Sequence, residues 1–296
     1  MLHQSFLIMG GCNLSCSYCY YRVGNLHYSP TSLKPSDVEQ WLKKCMHLMK
    51  IESITFTGGE PLLRRDFFEF VKIPIRYGID TRVLTNGTLL TDKHVNFFRD
   101  NNVEVCVSID SISSNYHEQH RGGFERTMEG ILKLRDHKVR RRYLTSTISK
   151  GNFNQIEELI NFARQNNFGI RFHPIAVGED NPLFLGNCSN QEQSLILNSL
   201  NSWAKLNNKK YYLGLIYSVM KFGAPPRLSD CTFARQSIVI DSDGSIYPCY
   251  QHKDDKMYRL GNITQTSPKE VEENKRKFFS QVQPASCIKT ACLGVF

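Results

Sequence analysis

The sequence predicts an α/β fold, a parallel sheet with helices outside it, and three observations carry that prediction. Short β-rich runs alternate with amphipathic segments over the first two thirds of the chain. Helix start signals stand between the runs, and the residues with chemical character fall just after the strands. Six βα repeats in order imply a parallel sheet, open or curled into a partial barrel, with its chemistry on the loops at the C-terminal ends of the strands.

The expected strands are Ser5–Met9, Ser53–Thr57, Thr81–Thr85, Glu104–Ile109, Tyr143–Ile148 and Ile170–Ile175. Ser36 followed by Glu39 reads as a capping box opening a helix that buries Val38, Trp41, Leu42 and Cys45. Asn154 followed by Glu157 opens a second such helix, with Ile156, Leu159, Ile160 and Ala163 on the core side. The pattern changes after residue 222, where Gly223, Pro225 and Pro226 make a linker-like break. Beyond it, Gln236–Ile240 and Ser245–Tyr250 flank Asp241-Ser242-Asp243-Gly244, which reads as a hairpin. Ser267, Pro268 and Glu270 then supply N-cap, first-turn proline and acidic third residue for a last helix. This division gives domains at 1–222 and 223–296.

A chain of 296 residues with 41% apolar and 22% charged content packs a core, as one large domain or one with an appendage. The formal charge of +9 is spread out, and its densest run, Lys138 with Arg140, Arg141 and Arg142, reads as a solvated face. Without an aromatic RNA-binding signature or zinc-finger spacing, nucleic acid is not the expected partner. No signal peptide and no run of about 20 apolar residues appears, so a cytoplasmic protein with no membrane partner is expected. Ten cysteines in such a chain point to metal ligation rather than disulfides.

The first cysteine group, Cys12, Cys16 and Cys19, follows the first strand at CxxxCxxC spacing. Three thiolates from one loop can take three irons of a four-iron cubane and leave the fourth open for a ligand. A zinc site completed by His3 or His27 is the alternative, although zinc motifs more often pair CxxC units. Thr57-Gly58-Gly59-Glu60-Pro61 ends the second strand, where glycines permit close backbone approach and a carboxylate can pair with an ammonium. Thr85-Asn86-Gly87-Thr88 ends the third strand and Ser108-Ile109-Asp110 the fourth, with His117 and Arg121 beyond.

In this combination the chain resembles the radical S-adenosylmethionine (SAM) superfamily. The resemblance implies a (β/α)6 partial TIM barrel and a [4Fe–4S] cluster on Cys12, Cys16 and Cys19 that binds and reduces SAM. It implies that the 5′-deoxyadenosyl radical so formed takes a hydrogen atom from an unactivated C–H of the substrate. It places Gly58, Gly59 and Glu60 at the SAM amino group, and Asn86, Ser108, Ser146 and Arg171 near SAM or the substrate. Within that set Ser146 is expected at the SAM carboxylate, Asp110 is a further candidate, and strand-end capping is the alternative role for Asn86, Ser108 and Asp110. His117 and Arg121 match an HxxxR pattern that often follows, and His173 reads as reaching cofactor or substrate, with a core histidine as its alternative.

Cys231, Cys249, Cys287 and Cys292, with the Asp-Gly hairpin, Tyr247-Pro248-Cys249 and Leu260-Gly261-Asn262-Ile263, resemble the SPASM domain and its shortened form, twitch. Four cysteines rather than about seven favour a small C-terminal twitch-type domain of hairpin plus helix, holding one auxiliary iron–sulfur cluster, expected to be [4Fe–4S]. All-cysteine zinc is an alternative for this group, as is ligation by three of the four. A thiol left over, Cys249 or Cys188, would be a candidate hydrogen-atom donor, and Cys45 and Cys106 read as core residues.

The function expected is hydrogen abstraction from a natural-product substrate, a small sugar-like or aminoglycoside-type molecule, giving epimerisation or dehydrogenation. The alternative is maturation of a ribosomally made peptide by epimerisation or cross-linking. Only eleven residues precede Cys12, which leaves no N-terminal peptide-recognition domain and tips the weighting to the small molecule. The positive charge works against a cationic aminoglycoside. A flavodoxin- or ferredoxin-like reductant would supply the electron. A two-cluster electron carrier is the reading from another class, opposed by the open iron that CxxxCxxC leaves. A zinc-stabilised nucleic-acid-binding module is the third, motivated by charge and cysteines.

Overall fold

The computed structural model describes residues 1–19, 31–207, 210–222, 236–250, 253 and 256–281. The six predicted strands are present: β1 His3–Met9, β2 Ser53–Gly58, β3 Asp80–Thr85, β4 Glu104–Ser108, β5 Arg142–Ile148 and β6 Gly169–Pro174. Between and after them lie α1 Pro35–Met46, α2 Phe67–Arg76, α3 Asp92–Asp100, α4 Ser114–His120, α5 Phe124–Asp136, α6 Ile156–Gln165, α7 Asn190–Leu206 and α8 Lys210–Phe222. β7 Ser237–Ile240, β8 Ser245–Tyr247, β9 Gly261–Asn262 and α9 Pro268–Gln281 follow.

These strands form one sheet in the order β6-β5-β4-β3-β2-β1-β7-β8-β9. β1 to β6 pair in parallel with their sequence neighbours. β7 lies parallel to β1, in register from His3 with Ser237 to Phe6 with Ile240, so the C-terminal hairpin extends the sheet of the barrel. β8 and β9 are added antiparallel, and Gly244 in the turn takes φ +84°, a left-handed conformation that glycine adopts without a Cβ penalty.

Alternation along the strands decides which side chains meet the helices and which meet the interior. Phe6 and Ile8, Ile54 and Phe56, Val83, Val105 and Val107, Leu144 and Ile148, and Ile170 and Phe172 share one apolar cluster with residues of α1, α2, α3, α5, α6 and α7. The other parity makes an inner face of mixed polarity that includes Arg82, Glu104, Cys106, Ser108, Tyr143, Thr145, Thr147, Arg171 and His173. With helices on one face only, the sheet has the layering of a barrel rather than of a doubly wound fold.

Two helix starts differ from expectation. α1 begins at Pro35 with Lys34 as N-cap, whose backbone N–H donates to Asp37 Oδ2 at 3.0 Å, so Ser36 and Glu39 form no capping box. The buried set, Val38, Trp41, Leu42 and Cys45, is the predicted one. α6 begins at Ile156 after a short 3-10 turn over Phe153–Gln155, which displaces Asn154 from the cap. Ile156, Leu159 and Ala163 are buried as predicted, with Ile160 half-buried beside them.

Candidate active site

The loop after β1 carries Cys12, Cys16 and Cys19, all partly exposed, and neighbouring strand ends hold its root in place. Gly59 N–H donates to Met9 O at 2.7 Å and Glu60 N–H to Gly11 O at 2.9 Å. A Cβ on Gly58, at φ +138°, would come within 2.3 Å of Met9 O, and one on Gly59 within 2.2 Å of Gly11 O. The glycine pair therefore lets the end of β2 lie directly on the backbone of the cysteine loop. Arg64 secures both ends of the segment, donating to Ile8 O at 2.7 Å and Leu33 O at 3.0 Å while Asp66 pairs with it. The sequence reasoning missed Arg64; its signal was the Arg-x-Asp spacing just beyond Gly-Gly-Glu-Pro.

Cys12 Sγ accepts from Leu14 N–H at 3.4 Å and lies 3.9 Å from Asn86 Nδ2. Burial pushes its thiol up, opposed by the Leu14 N–H, with Glu60 and Cys19 adding to the rise. Burial also raises Cys16, and the Arg121 cation opposes it. Among the described residues no three His, Cys, Asp or Glu side chains close on a single metal ion. The donor set is instead three thiols on one turn, electrostatically coupled to one another, which suits a cluster that takes each sulfur on a different iron.

Asn86, at the end of β3, bridges to this loop through Asn13 Oδ1 at 2.9 Å and accepts from Thr88 N–H at 3.0 Å. Asn13 in turn donates to Thr88 Oγ1 at 2.8 Å, a contact with no signal in the sequence. Glu60 is fully buried: Oε1 accepts from Thr85 Oγ1 at 2.7 Å and Leu62 N–H at 3.1 Å, and Oε2 from Asn86 N–H at 2.7 Å. Burial lifts its pKa to about 7 against those three bonds. The carboxylate thus joins the ends of β2 and β3, and a ligand ammonium would have to compete with these donors.

The other candidates divide. Ser108 stands half-buried on the inner face at the end of β4, level with Thr145. Ser146 does not face inward: it pairs with Phe172, shares the helix-facing side with Leu144 and Ile148, and its buried hydroxyl has no hydrogen-bond partner among the described residues. That parity turns it away from the inner face on which Ser108 stands. Arg171 does face inward but near the N-terminal end of the strands, where Nη2 meets Glu104 at 2.9 Å and Nη1 donates to Cys106 Sγ at 3.0 Å. A site on the C-terminal loops does not include it. Cys106 is consequently an inner-face thiol in a charged cluster rather than a residue of the apolar core, its pKa pushed up to about 12 by burial. His173 also faces inward, and burial pushes it down to about 4. Cys45 and Cys188 belong to the apolar core. Cys249 is buried in the turn after β8, whereas Cys231, Cys287, Cys292 and the linker glycine and prolines lie outside the described residues.

Asp110 and Arg121 form a buried ion pair against the cysteine loop, with Arg121 Nε 2.9 Å from Asp110 Oδ2. Tyr18 O–H donates to the same carboxylate oxygen. His117 is fully buried nearby, both ring nitrogens without partners among the described residues, its pKa pushed down to about 4 by burial and then by Arg121.

Comparison with known proteins adds the following. The family profile described as "Radical SAM superfamily" matches residues 6–164, and that of an iron–sulfur cluster-binding domain, SPASM, matches 231–292. The serine-type anaerobic sulfatase-maturating enzyme of Bacteroides thetaiotaomicron is 26% identical over 95% of this chain and 76% of its own length. The cysteine-type anaerobic sulfatase-maturating enzyme of Clostridium novyi is 28% identical over 88% of this chain and 76% of its own. A solved structure described as native anSMEcpe with bound AdoMet and Cp18Cys peptide superposes with a TM-score of 0.71 at 24% identity, covering 93% of this chain and 82% of that one. This likeness establishes the same fold.

Proposed function

From the premise that this chain belongs to the radical SAM superfamily, with a SPASM iron–sulfur domain at its C-terminal end, we propose that it is a maturase that modifies a polypeptide by hydrogen abstraction. The observation that carries this reading is similarity along 95% of the chain to a sulfatase-maturating enzyme. It reverses the weighting the sequence suggested, towards a small sugar-like or aminoglycoside-type molecule. The positive charge of +9 agrees with a substrate less cationic than an aminoglycoside.

The cofactors are SAM with a [4Fe–4S] cluster, and auxiliary iron–sulfur chemistry in the SPASM domain. When bound, the first cluster supplies one-electron cleavage of SAM, whose 5′-deoxyadenosyl fragment removes a hydrogen atom from a substrate C–H. In this proposal Cys12, Cys16 and Cys19 hold that cluster. Gly58 and Gly59 let the second strand seat the loop beneath it, and Glu60 and Asn86 lock the second and third strand ends around it. Ser108 lines the inner face toward SAM or substrate. Cys249, with Cys231, Cys287 and Cys292, would hold the auxiliary cluster, which would supply one-electron redox chemistry. The electron for SAM cleavage comes from a flavodoxin- or ferredoxin-type donor.

Anaerobically reconstituted protein given SAM and dithionite should release 5′-deoxyadenosine. The Cys12→Ala/Cys16→Ala/Cys19→Ala variant should release none while keeping the auxiliary iron. Peptides containing serine or cysteine should raise that turnover and emerge changed in mass. Turnover raised by aminocyclitols or sugars, with every peptide inert, would return the small-molecule reading. Intact SAM in protein that visibly holds its clusters would defeat both and favour an electron carrier.

A further inference from the structure

Beyond the cysteines, we propose that Arg121 is a positioning residue for the cysteine loop and that its fixed charge raises the reduction potential of the cluster held there. This rests on the reading of Cys12, Cys16 and Cys19 as cluster ligands.

Three consecutive loop residues are tied to one short stretch at the end of α4. Cys16 Sγ lies 3.8 Å from Arg121 O. Ser17 N–H donates to His120 O at 2.8 Å, and its hydroxyl meets His120 Nδ1 at 3.1 Å. Tyr18 O–H reaches Asp110 Oδ2, and its ring lies 5.7 Å from the Arg121 guanidinium. Asp110 holds this arrangement because all its acceptor capacity is used. Oδ2 also takes Arg121 Nε at 2.9 Å, while Oδ1 takes Thr147 N–H at 2.7 Å and Arg121 Nη2 at 3.4 Å. A carboxylate with four donors from three elements has one orientation, and it passes that orientation to Arg121 and Tyr18.

The pair is also placed asymmetrically. Asp110 is anchored to the backbone of β5, whereas Arg121 stands at the cysteine loop itself, its carbonyl 3.8 Å from Cys16 Sγ and its guanidinium 5.7 Å from the ring of Tyr18. The guanidinium is 11% exposed, so solvent screens it weakly. Thiolate ligands already make a cluster anionic, and an added electron makes it more so. A permanent cation beside it therefore stabilises the reduced form more than the oxidised one. A tie of purely mechanical purpose would gain nothing from charge, since a buried ion pair replaced by apolar groups is often no less stable.

The test is an EPR-monitored redox titration of reconstituted protein. The relevant cluster is identified by the signal missing from the Cys12→Ala/Cys16→Ala/Cys19→Ala variant. Asp110→Asn/Arg121→Gln keeps a neutral hydrogen-bonded pair, and its midpoint should fall below wild type at unchanged iron content. Arg121→Lys should restore most of the difference. Asp110→Asn alone leaves the cation without its counter-charge and should move the midpoint the other way. An unmoved midpoint in the double variant with full iron overturns the proposal. If that variant loses the cluster, an unmoved or lowered midpoint in Asp110→Asn overturns it instead. Because the titration needs no SAM turnover, wild type that cleaves no SAM would count against the maturase reading and not against this one.

Discussion

Glu60 shows how one side chain couples local structure to pH. Its folded pKa of about 7 stands above the ordinary 4.5 because burial disfavours the charged form. Between those values the folded protein binds a proton that the unfolded chain does not, so this group's contribution to stability declines as pH rises and is lowest above 7. The penalty is on the order of 3 kcal/mol. His117 and His173, both pushed down to about 4, act in the opposite sense as pH falls below 6.5. Thermal unfolding of wild type against Glu60→Gln across pH 5–8 separates them, and wild type should lose stability relative to the variant as pH rises. Loop residues were legible as chemistry in the sequence, but not what they touch. Cys12, Cys16 and Cys19 declared themselves by spacing. Gly58 and Gly59 also did, yet what needs their missing Cβ atoms is the chain's own Met9 and Gly11 carbonyls. Where Ser146 and Arg171 stand was not legible, because side-chain direction and distance along a strand depend on register, which a linear motif does not carry.

At the scale of elements, hydrophobic runs located every strand of the barrel to within a residue or two, since buried parallel strands must be apolar on the helix side. Helix starts were less legible because a capping signature is short and competes with its neighbours. Pro35 accepts the first helical position and draws the start of α1 ahead of Ser36. At α9 no competitor exists: Ser267 Oγ and N–H both donate to Glu270 Oε2, at 2.6 and 2.8 Å, and Glu270 N–H returns a bond to Ser267 Oγ at 3.3 Å. Ser267→Ala should therefore cost about 1 kcal/mol in urea unfolding, and Ser36→Ala should stay within about 0.5 kcal/mol of wild type. Equal losses at both sites would contradict the observed helix starts.

Across the whole molecule, charge closes the end of the inner face opposite the cysteine loop. Glu104, almost fully buried, meets Arg141 Nη2 at 3.0 Å and Arg171 Nη2 at 2.9 Å. Arg82 Nε lies 3.1 Å away without hydrogen-bond alignment. Asp80 pairs with Arg141 and, at 3.5 Å, with Arg82. The basic run that reads as a solvated face in sequence is thus partly spent here: Arg141 joins this network, and Arg142 donates to Val139 O at 2.6 Å. Glu104→Gln should destabilise the protein by about 2 kcal/mol, less than a fully buried pair would lose because the guanidiniums are about a third exposed. Chemical denaturation reads this directly, and a neutral outcome would mean the arginines are held by other partners.

Of all the pairings, the one between β1 and β7 was least visible in sequence, because a hairpin announces its own turn but not the distant strand beside which it will lie. That pairing has a consequence for synthesis. β1 is made some 230 residues before β7, and until then the edge that β7 will cover stays bare. Throughout that interval the nascent chain presents an apolar template open to strangers, the situation that favours intermolecular strand addition. A gene shortened to yield residues 1–222 alone should accordingly accumulate in inclusion bodies, and co-expressed residues 223–296 would have to find that edge before another copy did.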